Sequence, residues 1–229
     1  MTAQLLVVVH LTDPHHAAEQ SDIAFGNGAD GVFLINHYTG VNVLADSVEE
    51  VRSRTGESAW IGINPLGIDC RDAGSFVNDV TRSRGRVDGL WCDNARIDES
   101  LPVEEQRAAI DAQAARDGWP GLYFGGVAFK YQRVVEDLTT AARTASQLMD
   151  VVCTSGPGTG KPADPQKLAA LRAGLDRTDQ LAVASGVDID NVEAQLDHCG
   201  WFLVATGVSD TDTSLNPGKI AALAERIHR

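Results

Sequence analysis

Positive charge is what the sequence has least of: 19 Lys and Arg stand against 32 Asp and Glu, a net charge of −13 at pH 7. That deficit disfavours nucleic acid or an anionic membrane as the main partner, since both repel an acidic chain. Cysteine is scarce and scattered. Cys70, Cys92, Cys153 and Cys199 form no CxxC pair, so neither a zinc site nor a disulfide framework is expected, and the four read as buried free thiols. No HExxH stretch occurs, and no cofactor is expected; a magnesium ion on Asp13 or Asp93 is the alternative. Long hydrophobic runs are missing too. The first ten residues hold one short apolar run and no basic segment, so no signal peptide or membrane span is expected, and the reading is a cytoplasmic protein. No linker or low-complexity stretch divides the chain, which reads as a single domain over residues 1–229.

What is present is a rhythm. With 43% hydrophobic residues in 229, the chain can bury one continuous core. Short apolar runs at 5–9, 31–35, 60–63, 89–92, 121–124, 151–153, 181–184 and 201–204 each lead into a turn and then a stretch of helical spacing. Runs that are apolar at successive positions suit parallel strands covered on both faces. Asp13-Pro14, Asp164-Pro165 and Asn216-Pro217 each pair an N-cap side chain with a proline at the first helical position, where its missing N–H costs nothing. Ile220, Leu223, Ala224 and Ile227 make one stripe, and Val134, Leu138, Ala141, Ala142 and Ala145 another. Eight strand–helix alternations in this length predict a closed (β/α)8 TIM barrel of the α/β class, with a doubly wound open sheet as the rival.

Ligands of such barrels sit at the C-terminal ends of the strands, so the residues just beyond each run matter most. They are polar here: His10, Thr12 and Asp13 after the first, Asn36, His37 and Tyr38 after the second, Asn64 after the third, Asp93 and Asn94 after the fourth. Gly125 and Gly126 lead to Lys130 after the fifth, and Thr154 and Ser155 open a glycine-rich segment after the sixth. Asp93, Lys130 and His10 are the candidate catalytic groups, because burial beside opposite charge tunes proton affinity. Lys130 could stabilise an oxyanion, bind a carboxylate or form a Schiff base; a purely structural Asp93–Lys130 pair competes with these roles. His37 is a further possible base, while His15 and His16 are expected to be exposed at a helix start. Asn36, Asn64, Thr154, Ser155 and Lys161 are the candidate substrate-binding residues, with turn formation as the competing role of Asn36 and Asn64.

The last two turns carry the strongest local signal. Ser185-Gly186, running into a helix expected near Asp190, and Thr206-Gly207 place small residues where backbone amides can approach a phosphate, so a dianion can be held without many cations. These four are the candidate phosphate-binding residues, and a small phosphorylated ligand is the expected partner; association into a homo-oligomer is left open. GPGTGKP from Gly156 lacks the spacer and the hydroxyl residue after lysine of a nucleotide-binding P-loop. It reads as a flap able to close over the mouth, with Lys161 meeting an anion, or equally as a solvated surface loop.

Three segments resemble the ribulose-phosphate-binding barrels, phosphoribosylanthranilate isomerase in particular: HLTDPHHAAEQSDIAFGNGADGVFLI from His10, SGPGTGKPAD from Ser155, and LAVASGVDIDNV together with FLVATGVS near the end. Order and spacing over most of the chain, with GADGVFLIN, IGINPLG, GVAFK and VASGVDIDNV, resemble the BtpA family, named for a role in photosystem I biogenesis. The resemblance implies phosphate binding at Ser185, Gly186, Thr206 and Gly207. The isomerases use a cysteine base at the end of strand one and an aspartate acid after strand six; those positions fall near Val9 and at Thr154 or Ser155, which cannot transfer that proton. Isomerase or lyase chemistry on a phosphorylated sugar or phosphoribosyl compound therefore needs a replacement pair, Asp93 with Lys130 or His10. A non-catalytic assembly or phosphate-ligand-binding protein is the alternative.

Overall fold

The computed structural model describes residues 2–229. Eight parallel strands, β1 (Gln4–His10), β2 (Gly31–Ile35), β3 (Trp60–Asn64), β4 (Gly89–Cys92), β5 (Leu122–Gly126), β6 (Val151–Ser155), β7 (Leu181–Ala184) and β8 (Trp201–Val204), pair in chain order. Strand β8 pairs with β1 through Gln4 opposite Trp201 and Val7 opposite Val204, which closes the barrel. An open sheet is thereby excluded. The helices α1 (Pro14–Gly26), α2 (Val41–Thr55), α3 (Cys70–Arg84), α4 (Arg107–Ala115), α5 (Leu138–Ala145), α6 (Pro165–Ala173) and α7 (Pro217–Ile227) cover its outside. No helix among the described residues is long and apolar enough to cross a membrane.

The three Asx-Pro starts are seen as caps. Asp13 accepts from the His16 amide, Asp164 from Gln166 and Asn216 from Lys219. The stripe of α7 is buried at all four expected positions. Val134 is a correction: it is 83% exposed and lies before α5, because Asp137 caps that helix at Leu138 and only the later part of the stripe meets the sheet. The helix expected near Asp190 is also absent; the Asp188 carboxylate takes up the amides of Asp190 and Asn191, and only a 3-10 turn, Val192–Gln195, follows.

The barrel is plugged at its N-terminal end by rings. Phe33 lies edge-on to Trp60 at 5.2 Å and to Phe124 at 5.3 Å, and Phe124 meets Trp201 at 5.3 Å. Gly62 and Gly89 make the room: a Cβ on either would lie 2.3 Å from the rings of Phe33 and Trp60 respectively. Few as the aromatics are, at 6% of the chain, their concentration here leaves the free volume at the opposite, C-terminal mouth.

All four cysteines are buried and unpaired. Burial pushes the Cys70 thiol up to about 11 and those of Cys92 and Cys199 to about 12, and raises Cys153 as well. A thiol reacts as its thiolate, so iodoacetamide at pH 8 is expected to modify none of them in the folded protein and all of them in guanidinium chloride. Labelling of the native protein at the denatured rate would contradict this burial.

Candidate functional site

A cavity of about 260 Å³ opens at the C-terminal mouth. Its apolar wall includes Val8, Ile35, Leu66, Trp91 and Leu203, and its polar wall includes His10, His37, Asp93, Lys130, Ser185 and Thr206. The three candidate catalytic residues thus share one chamber with the turns after β7 and β8. His10 is the last residue of β1, so strand geometry fixes it, whereas Asp93 and Lys130 stand on the loops after β4 and β5. No ion pair forms between Asp93 and Lys130. Asn64 Nδ2 donates to Asp93 Oδ1 at 3.0 Å, and Lys130 Nζ donates to Thr159 Oγ1 at 3.3 Å. The mainchain beneath Asp93 is equally constrained, since a Cβ at Gly126 would lie 1.8 Å from the Asp93 carbonyl oxygen.

Burial raises the Asp93 carboxyl above the ordinary carboxylate range, against the opposing effects of Asn64, Lys130 and His37. Burial also lowers His10, helped by neighbouring His37, so its neutral ring is favoured. His10 sits edge-on to His37 at 5.2 Å, and His37 stacks on Tyr38 at 4.9 Å. Tyr38 in turn donates to Asp212 Oδ2 at 3.0 Å. Asp212 belongs to the hairpin of β9 (Ser209–Thr211) and β10 (Ser214–Leu215), which folds back from β8 over the start of α1, where Thr213 O meets His16 Nε2 at 2.8 Å.

The signs of the two shifts differ. A carboxyl whose folded pKa is raised binds more protons in the native state, so its contribution to stability falls as pH rises from the ordinary value of 3.8 through the folded one. Asp93→Asn removes that penalty and keeps an acceptor for Asn64. The variant is expected to unfold at higher denaturant than the parent at pH 7, with the difference shrinking as pH falls toward 3.8. Equal midpoints at pH 7 would contradict the raised carboxyl. His10 acts oppositely: its neutral ring adds stability that is lost as pH falls from 6.5 through its lowered folded pKa.

Of the substrate-binding candidates, four are spent inside the protein. Asn36 ties down the turn after β3, donating to Thr39 O and Leu66 O and accepting from the Leu66 amide at 2.8 Å. Asn64 serves Asp93. Thr154 and Ser155 are fully buried residues of β6; Thr154 Oγ1 donates to Ala128 O at 3.4 Å, and Ser155 Oγ accepts from the Lys130 amide at 2.8 Å. Lys161 is exposed and outside the cavity wall.

The flap is docked. Ser185 Oγ accepts from the Gly160 amide at 3.2 Å and donates to Gly158 O at 3.1 Å, so the hydroxyl holds the flap against the turn after β7. Gly186 sits in the left-handed region, φ 71°, and a Cβ there would lie 2.2 Å from the Lys161 backbone. Gly207 seats the next turn, since its Cβ would lie 1.9 Å from Val187 O. Ser185 and Thr206 line the cavity, with the two glycines one residue behind. Thr206–Val208 is a 3-10 turn, so the Thr206 and Gly207 amides at its start have no partner within it. Tyr131 and Thr159 also line the cavity. Tyr131 lies in a loop without a motif, and within the GPGTGKP segment the sequence marks Lys161 rather than Thr159; both reach the mouth only through the fold.

Asp13 is committed to its helix cap. Among the described residues, no group of three or more His, Cys, Asp or Glu side chains is placed to hold a metal ion.

The same architecture recurs in solved structures. It is similar to 3-hexulose-6-phosphate synthase (TM-score 0.69, 16% identity, covering 98% of this chain and 99% of that one). It is also similar to phosphoribosyl anthranilate isomerase from Thermus thermophilus (0.67, 14%, 97% and 97%) and to KGPDC from Streptococcus mutans (0.66, 17%, 99% and 98%). These likenesses are of fold. No family model and no curated protein matches the sequence.

Proposed function

We propose that the protein is an enzyme acting on a phosphorylated sugar or phosphoribosyl compound, by isomerase or lyase chemistry that moves a proton next to a carbonyl or imine. The observation that carries this reading is that one cavity wall holds Asp93, Lys130 and His10 together with the residues Ser185 and Thr206 of the last two turns. The phosphate would lie on the amides at the start of the Thr206 turn and beside Ser185, directing the reactive end toward Asp93 and Lys130. Asn64 engages one oxygen of Asp93 and leaves the other to the substrate, and the upward shift that burial gives this carboxyl suits it to serve, when protonated, as donor. Lys130 offers a cation to the oxygen on which negative charge develops, and neutral His10 offers a base. Phosphosugar and phosphoribosyl substrates in the names of two similar structures agree with the reading.

A thermal-shift screen tests it. Sugar phosphates and phosphoribosyl compounds are expected to raise the melting temperature while their unphosphorylated counterparts do not; a ligand at a hundred times its dissociation constant stabilises by about 2.7 kcal/mol. No shift with any phosphorylated ligand would favour the BtpA-like assembly reading. The internal hydrogen bonds of Asn36, Thr154 and Ser155, none of which lines the cavity, are the observation on that side.

A further inference from the structure

Four lysines occur in the chain, Lys130, Lys161, Lys167 and Lys219, and three of them lie near the barrel mouth. Lys167 has no part in the cavity, yet it is the most constrained. It occupies the third position of α6, where the helix dipole opposes a cation, and burial lowers its pKa. Both hydrogen-bond partners of its ammonium are backbone carbonyls: Ser155 O at the end of β6, at 2.7 Å, and Ala128 O in the loop after β5. The position is electrostatically costly, so what it holds is informative.

It holds a strained loop. Ala128 and Tyr131 both have left-handed backbones, φ 49° and 62°, and such residues persist only where their surroundings enforce them. Lys130 lies between them. Its amide donates to Ser155 Oγ at 2.8 Å, while the carbonyl of the same serine accepts from Lys167. Val127 N donates to Cys153 O at 2.8 Å, and Gln132 Nε2 reaches the carbonyl of Asp93. The loop is thus pinned at both ends, and Lys167 supplies the clamp on its bend.

We propose that Lys167 is a positioning residue for Lys130: by bridging Ala128 O and Ser155 O, it fixes the bend of the β5 loop that presents Lys130 to the cavity. The proposal rests on the catalytic reading of Lys130, but the clamp itself does not. Lys167 does not line the cavity, and its effect passes through the backbone.

Pyridoxal 5′-phosphate followed by borohydride tests both levels in the full-length chain. The aldehyde condenses with a lysine amine to an imine with loss of water, borohydride reduces the C=N bond to a stable secondary amine, and peptide mass spectrometry locates the label. In the parent protein, Lys130 is expected to label faster than Lys219, with inorganic phosphate competing. In Lys167→Met, labelling of Lys130 relative to Lys219 is expected to fall by roughly tenfold or more, since small displacements of a reacting group cost this much, while the concentration of phosphate that competes stays within about twofold. Lys167→Arg, which retains two donors, is expected to restore most of the labelling. Unchanged labelling in Lys167→Met, or equal loss in Met and Arg variants that both remain folded, overturns the proposal.

Hydrogen exchange separates the two levels. If the parent shows no preference for Lys130, the phosphosugar reading fails, and the amides of residues 128–132 still decide the clamp: exchange faster in Lys167→Met by about tenfold supports it, and unchanged exchange overturns it. Should Lys167→Met fail to fold, the same comparison is made with Lys167→Gln, whose amide ends one atom short of the ammonium position and so does not span both carbonyls, and the same two outcomes apply.

Discussion

Lys130→Ala is expected to lower turnover of the phosphorylated substrate by about 10²–10⁴-fold, the usual scale for a group that acts in the transition state. Binding of inorganic phosphate should stay within about twofold of the parent, because the loss falls on interactions made only as charge develops. The separation follows from the geometry. Lys130 stands on the β5 loop and is held by Thr159, whereas the proposed phosphate position is built from the turns after β7 and β8. Steady-state kinetics on whichever compound passes the thermal-shift screen would check it, with phosphate binding measured by calorimetry. Unchanged turnover would retire Lys130 as a catalytic residue. Parallel loss of turnover and phosphate binding would mean that it binds the anion instead.

Gly207→Val is expected to do the opposite. A Cβ at this position lies 1.9 Å from Val187 O, far inside van der Waals contact, and the obstacle is backbone rather than a side chain that can swing away. The turn after β8 must therefore separate from the turn after β7, and the Thr206 and Gly207 amides lose their placement. The melting-temperature rise caused by phosphate ligands, equivalent to about 2.7 kcal/mol at a hundredfold excess over the dissociation constant, should disappear. The barrel itself should persist, as the residue lies beyond the last strand and the plug of Phe33, Trp60, Phe124 and Trp201 is at the other end. A full ligand shift in a folded Gly207→Val variant would remove the phosphate from these turns.

The barrel was legible because its strands are uniformly apolar and its helices start at marked caps. Burial on both faces makes a run such as Val32 to Ile35 unmistakable, and Asx-Pro pairs leave little choice of register. Helix starts without such marks were less secure: Val134 sits at the right spacing for α5 but upstream of Asp137, which sets the boundary. The rim shows a different limit. Residues at the C-terminal ends of strands either face the ligand or close the turns that carry it, and sequence position does not distinguish the two. His10, Asp93 and Lys130 reach the cavity, whereas Asn36, Thr154 and Ser155 are consumed by Leu66, Ala128 and Lys130.

Long-range partners were the least accessible. Tyr38 meets Asp212, and Ser185 meets Gly158 and Gly160, only once the closed barrel has brought the βα loops to one mouth. Lys167 carried no signal at all in a linear reading, since a lysine in the first turn of a helix ordinarily faces water. The docking of the flap on Gly186 likewise depends on a close approach between segments separated by a helix and a strand. Glycine at 186 is marked in the sequence as a phosphate-binding residue of a turn, and its seat for the Lys161 backbone emerges only from the fold.

A titration of the isotopically labelled protein with inorganic phosphate, followed by amide nuclear magnetic resonance, reads the mouth directly. The amides of Ser185, Gly186, Thr206 and Gly207 are expected to shift together and saturate at one dissociation constant, while those of the N-terminal plug stay in place. Saturating shifts confined to another part of the surface, or none at these four amides, would contradict a phosphate site between the last two turns.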